Sequence, residues 1–308
     1  MQFTLSHRYN TPVLRFDKPL KVGESARLLV MSDIHHDNVH CDRGLFRRHL
    51  AQAVETQTPI VFIGDQMCLM NGRADPRRAG AANVRPEHVG RSNYIDLVVR
   101  DFANEIIDAG AAPLVVLMGM GNHEASIRGH LEVDVLERVG ERLRQAGSPV
   151  HIGGIGGWLL VQLKISKTAR TSVPIFYHHG HGGGGMSRGT GHVNKRALYV
   201  PDAKVILSGH VHEEFTMTLC RDRICPKTGR QFRDECFALQ TATYKQEYDQ
   251  AGTSWHCLQG RPPKPLGGAF LSLTLAKEYG NEYTAGKGGA KNSRLPRYHV
   301  VANAERAK

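Results

Sequence analysis

Five short polar clusters recur along this chain, and four of them come directly after a β-branched or aliphatic run that reads as a buried strand. They are Ser32-Asp33-Ile34-His35, Gly64-Asp65, Gly119-Met120-Gly121-Asn122-His123-Glu124, Tyr177-His178-His179-Gly180-His181 and Ser208-Gly209-His210-Val211-His212. All are rich in residues that bind metals through oxygen or imidazole nitrogen. No other feature narrows the fold so far. Open α/β sheets gather loops at the carboxyl ends of their strands, so residues distant in sequence can converge on one centre.

Between the clusters, the spacing of apolar residues predicts helices. Asp42 is placed to cap one in which Phe46, Leu50, Ala53 and Val54 share a face, and Ile95, Val98, Phe102 and Ile106 form a second stripe. With strands at 28–31, 59–63 and 114–117, the order strand, helix, strand, helix, strand argues a parallel α/β half. Beyond residue 155 strands dominate, at 158–165, 174–177, 205–207, 215–219, 237–243 and 269–275. Pro226-Lys227-Thr228-Gly229 reads as a hairpin turn.

Composition adds a few bounds. No apolar run reaches the about 18 residues that span a membrane, and no secretory signal is evident at the N-terminus. Six cysteines in 308 residues make no dense disulfide framework, which suits a reducing cytoplasm. The formal net charge of +11 raises a nucleic-acid partner, since clustered cations neutralise phosphates. Much of that excess lies in residues 285–308, read as a basic, flexible tail after a catalytic domain of 1–284. Two segments look inserted: a basic stretch at 69–93 carrying Arg73, Arg77 and Arg78, and a Gly-rich loop at 182–191.

Asp-x-His, Gly-Asp, Gly-Asn-His-Glu, His and Gly-His-x-His, in that order from about residue 28 to 212, resemble the calcineurin-like metallophosphoesterase superfamily, in particular its prokaryotic and phage-type phosphodiesterase-like members. The resemblance implies an α/β fold of two facing mixed β-sheets flanked by helices, a four-layer α/β sandwich. It implies two divalent metal ions, with Asp33, His35 and His212 holding the first, Asn122, His179 and His210 the second, and Asp65 bridging. His178 and His181 stay open as alternatives to His179. Manganese is the expected metal, with Fe, Zn²⁺ or Ni²⁺ as substitutes, because the donors are oxygens and imidazoles without thiolate.

By the same resemblance His123 donates a proton to the leaving oxygen, and Glu124 holds its imidazole in the useful tautomer. His36 and His181 are candidate substrate contacts, as are Arg73, Arg77 and Arg78. The family often extends Gly-Asp to Gly-Asp-x-x-Asp, and its protein phosphatases add arginines near both Gly-Asp and Gly-Asn-His-Glu. Here Cys68, Leu69 and Met120 occupy those places. Without those cations a doubly charged monoester loses part of its clamp. The expectation is therefore a phosphodiesterase or nuclease working by metal-bridged hydroxide attack on nucleic-acid or nucleotide phosphodiesters, DNA and RNA included. The alternatives are a phosphomonoesterase and a non-catalytic binding scaffold. The sequence gives no oligomeric state.

Overall fold

The computed structural model describes residues 3–69, 83–182, 186–248, 257, 260, 262–284 and 291–308. In chain order the elements are β1 (Phe3–Arg8), β2 (Thr11–Phe16), β3 (Ser25–Met31), α1 (Arg43–Thr56), β4 (Ile60–Phe62), α2 (Tyr94–Asp108), β5 (Val115–Met118), α3 (Asn122–Leu131), α4 (Val135–Gln145) and β6 (His151–Ile152). They continue with β7 (Gly156–Lys164), β8 (Arg170–His178), α5 (Met186–Tyr199), β9 (Val205–Ser208), β10 (Phe215–Ile224), β11 (Gln231–Gln240), β12 (Ala269–Thr284) and β13 (Lys291–Arg306).

These strands make two mixed sheets, ordered β1-β2-β7-β8-β9-β11-β10 and β13-β12-β3-β4-β5-β6. In the second, β3, β4, β5 and β6 run parallel. Their connections carry α1 and α2, as the alternation in the sequence predicts, and also α3 and α4, which it does not predict. The layering explains why β3, β4 and β5 are apolar on both faces, since helices cover one side and the other sheet covers the opposite one. Leu28, Val30, Val61, Val116 and Leu117 meet Leu159, Val161, Ile175, Val205 and Leu207 between the sheets. Leu29, Met31, Ile60 and Phe62 face Phe46, Leu50, Val98 and Phe102 of α1 and α2. The Phe46 and Phe102 rings stack at 5.9 Å. Full burial of side chains this size contributes roughly 1.5–3 kcal/mol each. A third cluster, with Val193 and Ala197, packs α5 over the first sheet.

Asp42 caps α1 by accepting the Leu45 N–H, as expected, and the turn between β10 and β11 closes with the Gly229 N–H on the Cys225 carbonyl. The C-terminal stretch read as a tail is different. Residues 291–306 form β13, paired along its length with β12. Val300, Ala302 and Ala304 alternate toward the inter-sheet core, and this period of two outweighs the charge and glycine that composition registers. Likewise residues 186–191 of the expected Gly-rich loop open α5, with Gly189 close against Phe215 and Val211. Arg73, Arg77 and Arg78 lie outside the described residues. Among the described residues no helix is long and apolar enough to cross a membrane.

Candidate metal centre

The polar clusters meet where β3, β4, β5, β8 and β9 end. Beyond its pairing with β4, the loop after β3 keeps bonding to the loop after β4: Asp33, His35 and His36 donate to the carbonyls of Gly64, Asp65 and Gln66. Two ligand-type groups result, Asp33–His35–His212 and Asp65–His179–His210, each with its donor atoms within 4.8 Å of one another. The Asn122 carboxamide oxygen joins the second group, 3.1 Å from His179 Nε2 and 2.8 Å from His210 Nδ1. Among the three neighbouring histidines, His179 is the one buried in this centre. His178 Nδ1 accepts the Gly180 N–H, and His181 is exposed with its ring 4.5 Å from that of His192.

Backbone strain marks the same positions. Asp33, His35, Asp65, His210 and His212 all have φ between 49° and 75°, the left-handed region that side chains normally avoid. Such residues cost on the order of 1 kcal/mol or more each and persist where the surroundings over-determine them. Glycine is reserved for contact instead. A Cβ on Gly121 would lie 2.0 Å from Asp65 Oδ1, and one on Gly64 2.3 Å from His179 Nδ1.

Each imidazole of the second group has one nitrogen tied back, which directs the other inward. His179 Nδ1 donates to the Ile63 carbonyl, leaving Nε2 3.1 Å from Asp65 Oδ2. His210 Nε2 donates to the Gly182 carbonyl and turns Nδ1 toward Asn122. In the first group Asp33 Oδ2 accepts from the His210 N–H and Ser32 Oγ. Its other oxygen, Asp33 Oδ1, is buried 3.2 Å from His212 Nε2, while His35 Nδ1 is buried with no hydrogen bond. His35 Nε2 and His212 Nε2 face each other at 3.4 Å.

The electrostatics suit a cation. Burial opposes ionisation of Asp33 and Asp65, yet His179, with His212 and His123, holds both below the usual carboxylate range. His179 itself is pushed up to about 9, burial being overcome by Asp65 and Asp33. Two buried carboxylates, inward-facing imidazoles and this negative field fit divalent ions. The residues that would hold them are Asp33, His35 and His212 on one side and Asp65, Asn122, His179 and His210 on the other.

His123 stands over this centre. Its Nδ1 donates to the Cys68 carbonyl at 2.6 Å, so Nε2 is presented 3.8 Å from Asp65 Oδ2. Glu124 does not perform the expected task of holding that imidazole. At the third position of α3 it reaches back like a capping carboxylate, accepting the N–H groups of Gly121, Asp65 and Met67. Burial and the Asp65 charge push its pKa up to about 8. His36 is also corrected: it points away into the helix layer, where it bonds Glu105 Oε2 at 2.8 Å and packs on Phe102. The left-handed φ of His35 separates the two neighbours, sending one ring to the centre and the other to the core.

Asp37 and Lys245 escaped the sequence reading, and Cys68 entered it only as a departure from the family pattern. Asp37 accepts the Cys68 and Leu69 N–H groups, at 2.5 and 2.9 Å, fixing the carbonyl that holds His123. The Cys68 thiol groups with His35 and His123, and burial pushes its pKa up to about 12. Lys245, ion-paired with Glu247, follows a segment whose Thr243 and Tyr244 both bond the Asp33 carbonyl. Its charge is felt at His35 and Cys68. The signal for Lys245 was available, since it too is a polar residue beyond the carboxyl end of a strand.

The sequence matches the calcineurin-like phosphoesterase family over residues 26–214, and the chain belongs to that family. A search of curated proteins found no match. Among solved structures it is similar to the calcineurin-like phosphoesterase YfkN from Bacillus subtilis, at 12% identity and a TM-score of 0.40, over 92% of this chain and 90% of that one. It is also similar to Vps29 complexed with zinc from Entamoeba histolytica, at 12% identity and a TM-score of 0.30, over 89% of this chain and 98% of that one. GAP50, the anchor in the inner membrane complex of Plasmodium, aligns at 9% identity and a TM-score of 0.42, over 93% and 90% of the two chains. The chain is thus a metallophosphoesterase-family protein with two candidate metal-binding groups.

Proposed function

We propose that this protein is a dinuclear metal-dependent phosphodiesterase acting on nucleotide or nucleic-acid phosphodiesters. The observation that carries the reading is the juxtaposition of the two ligand groups with His123 beside them. When bound, divalent ions, manganese first among them, would supply Lewis acidity toward phosphoryl oxygens and lower the pKa of water.

The chain's own residues do the rest. His123 Nε2 delivers a proton to the leaving oxygen, while the Cys68 carbonyl retains the proton on Nδ1 and keeps the ring aimed. Glu124 rigidifies the turns that carry Asp65 and Asn122 through its three backbone bonds. Lys245, its charge partly neutralised by Glu247, gives a phosphoryl group only a weak cationic clamp among the described residues. That weak clamp, with no arginine at 68, 69 or 120, favours diesters over monoesters. Cys41, Cys68, Cys220, Cys225 and Cys236 are free thiols, which suits a reducing, cytoplasmic setting.

Hydrolysis of bis(4-nitrophenyl) phosphate and 4-nitrophenyl phosphate, measured side by side with Mn²⁺, tests the reading. The expected result is turnover of the diester well above that of the monoester. A reversed preference would transfer the assignment to phosphomonoesterases. Survival of supercoiled plasmid, single-stranded DNA and RNA would restrict the substrate to small diesters.

A further inference from the structure

A cavity of about 540 Å³ that no step above uses, and that no candidate ligand lines, lies against a loop that braces the metal centre. It opens between the β1–β2 turn and the loop joining β6 to β7, and no Asp, Glu, Lys or Arg lines it. Gly153, Gly154, Gly156 and Gly157 form one wall, so that wall is bare peptide. The same loop supports the metal centre. The Gly154 carbonyl accepts the Met120 N–H, two residues before Asn122, and the Ile155 carbonyl accepts the N–H of His179.

Two side chains give the cavity its chemistry. Tyr177, two residues before His179 on β8, is 2% exposed, and its hydroxyl sits against Gly153 and Gly157 at the cavity wall. Among the described residues that hydroxyl makes no hydrogen bond, and burial alone raises its pKa. A hydroxyl that opens on a cavity without a protein partner adds little to stability that phenylalanine would lack. His151 stands at the other side, joined to His7 through its Nδ1 at 3.0 Å. A site with hydrogen-bonding groups, no charge and flat peptide walls selects a neutral, planar, heteroatom-bearing group.

We infer that this cavity is a subsite for the organic part of the substrate, a nucleobase-type ring held by the Tyr177 hydroxyl and His151 against the Gly153–Gly157 loop while its ester phosphorus lies at the metal centre. The volume accommodates a nucleoside. This inference deepens the phosphodiesterase reading and rests on it for the position of the phosphorus, but binding to the cavity can be measured without turnover.

Calorimetric titration of the metal-loaded protein with thymidine is the direct test, on wild type, Tyr177→Phe and Gly154→Leu. A side chain at 154 starts in open space, its Cβ meeting only the Gly156 carbonyl at 3.6 Å, so Gly154→Leu fills the cavity without a clash. Loss of one hydrogen bond should weaken thymidine about 5- to 10-fold in Tyr177→Phe, and occlusion should abolish binding in Gly154→Leu. Thermal midpoints of both variants should stay within about 2 °C of wild type. No thymidine binding by wild type, unchanged binding in both variants, or a midpoint lowered by more than about 4 °C in Tyr177→Phe would overturn the inference, the last by showing the hydroxyl to be a packing group.

Turnover separates the two claims. Thymidine 5′-(4-nitrophenyl phosphate) should show a lower KM than bis(4-nitrophenyl) phosphate, and Tyr177→Phe should erase about 5-fold of that advantage with kcat little changed. Thymidine bound with neither ester hydrolysed would sink the phosphodiesterase reading and leave the subsite standing. Both esters hydrolysed with thymidine unbound would do the reverse.

Discussion

The two ligand groups are built from similar residues but braced differently. In the second, the far nitrogens of His179 and His210 donate to backbone carbonyls, and Asp65 Oδ1 accepts the His123 N–H. In the first, Asp33 is held by Ser32, the His210 N–H and His212, but His35 Nδ1 is buried without a hydrogen bond. A braced ligand keeps its geometry when the ion leaves, whereas an unbraced one relies on the ion to complete its bonding. The second group is therefore preorganised, and in the first His35 would depend on a bound ion to complete its bonding.

The largest expected effect tests that difference directly. His179→Ala and His35→Ala should each lower diester turnover by about a thousandfold, because each removes a ligand. Only His179→Ala should also lower the thermal midpoint of the metal-free protein, by about 4–8 °C, since His179 is wired to Ile63 and Asp65. Equal destabilisation by His35→Ala would break the comparison. Next in size is chelation. Ions that bind only the folded state add about 3 kcal/mol at a few hundred times Kd, so EDTA should lower the midpoint by about 6–12 °C and added Mn²⁺ restore it. Stepwise chelation followed by metal analysis should empty the first group before the second.

His123→Ala should reduce kcat about a hundredfold with bound metal unchanged, a proton donor's loss rather than a ligand's. Metal loss in that variant would place His123 among the ligands instead. Behind the first group, Glu105 is bonded by His36 and Arg43. Burial opposes its ionisation, but those partners pull its pKa down to about 2. A depressed carboxylate pKa gives stability that is present above the unfolded value near 4.5 and lost as pH falls toward 2. Glu105→Gln should thus cost about 2 kcal/mol at pH 7 in urea unfolding, and the cost should shrink steadily below pH 4. The smallest effect is that of Asp37→Asn, about tenfold on kcat with KM unchanged, because Asp37 acts on His123 only through the Cys68 carbonyl.

Much of this was legible in the sequence. The runs at 28–31, 59–63 and 114–117 announced the parallel strands because burial on both faces leaves an unbroken apolar signature. The residues assembled at the centre were legible for a related reason: each sits just past such a run. The ring directions of His35 and His36 were not, because a single left-handed φ turns the chain between two identical side chains. Nor was the task of Glu124, since a carboxylate three residues into a helix can reach backward as readily as sideways. Strand β13 was masked by its charges, although the inward period of two at Val300, Ala302 and Ala304 was there to be read.

The left-handed ligands also bear on how this protein can change. Glycine at Asp33, His35, Asp65, His210 or His212 would relieve the backbone while erasing a candidate ligand, so folding robustness and catalysis compete at these five sites. Selection of a random library for heat resistance alone should drift there toward glycine and lose turnover. Selection that also demands turnover must find its stability elsewhere, in the helix layer and the sheet edges. The centre is thus the least evolvable part of the chain for stability, and the surrounding scaffold carries that freedom.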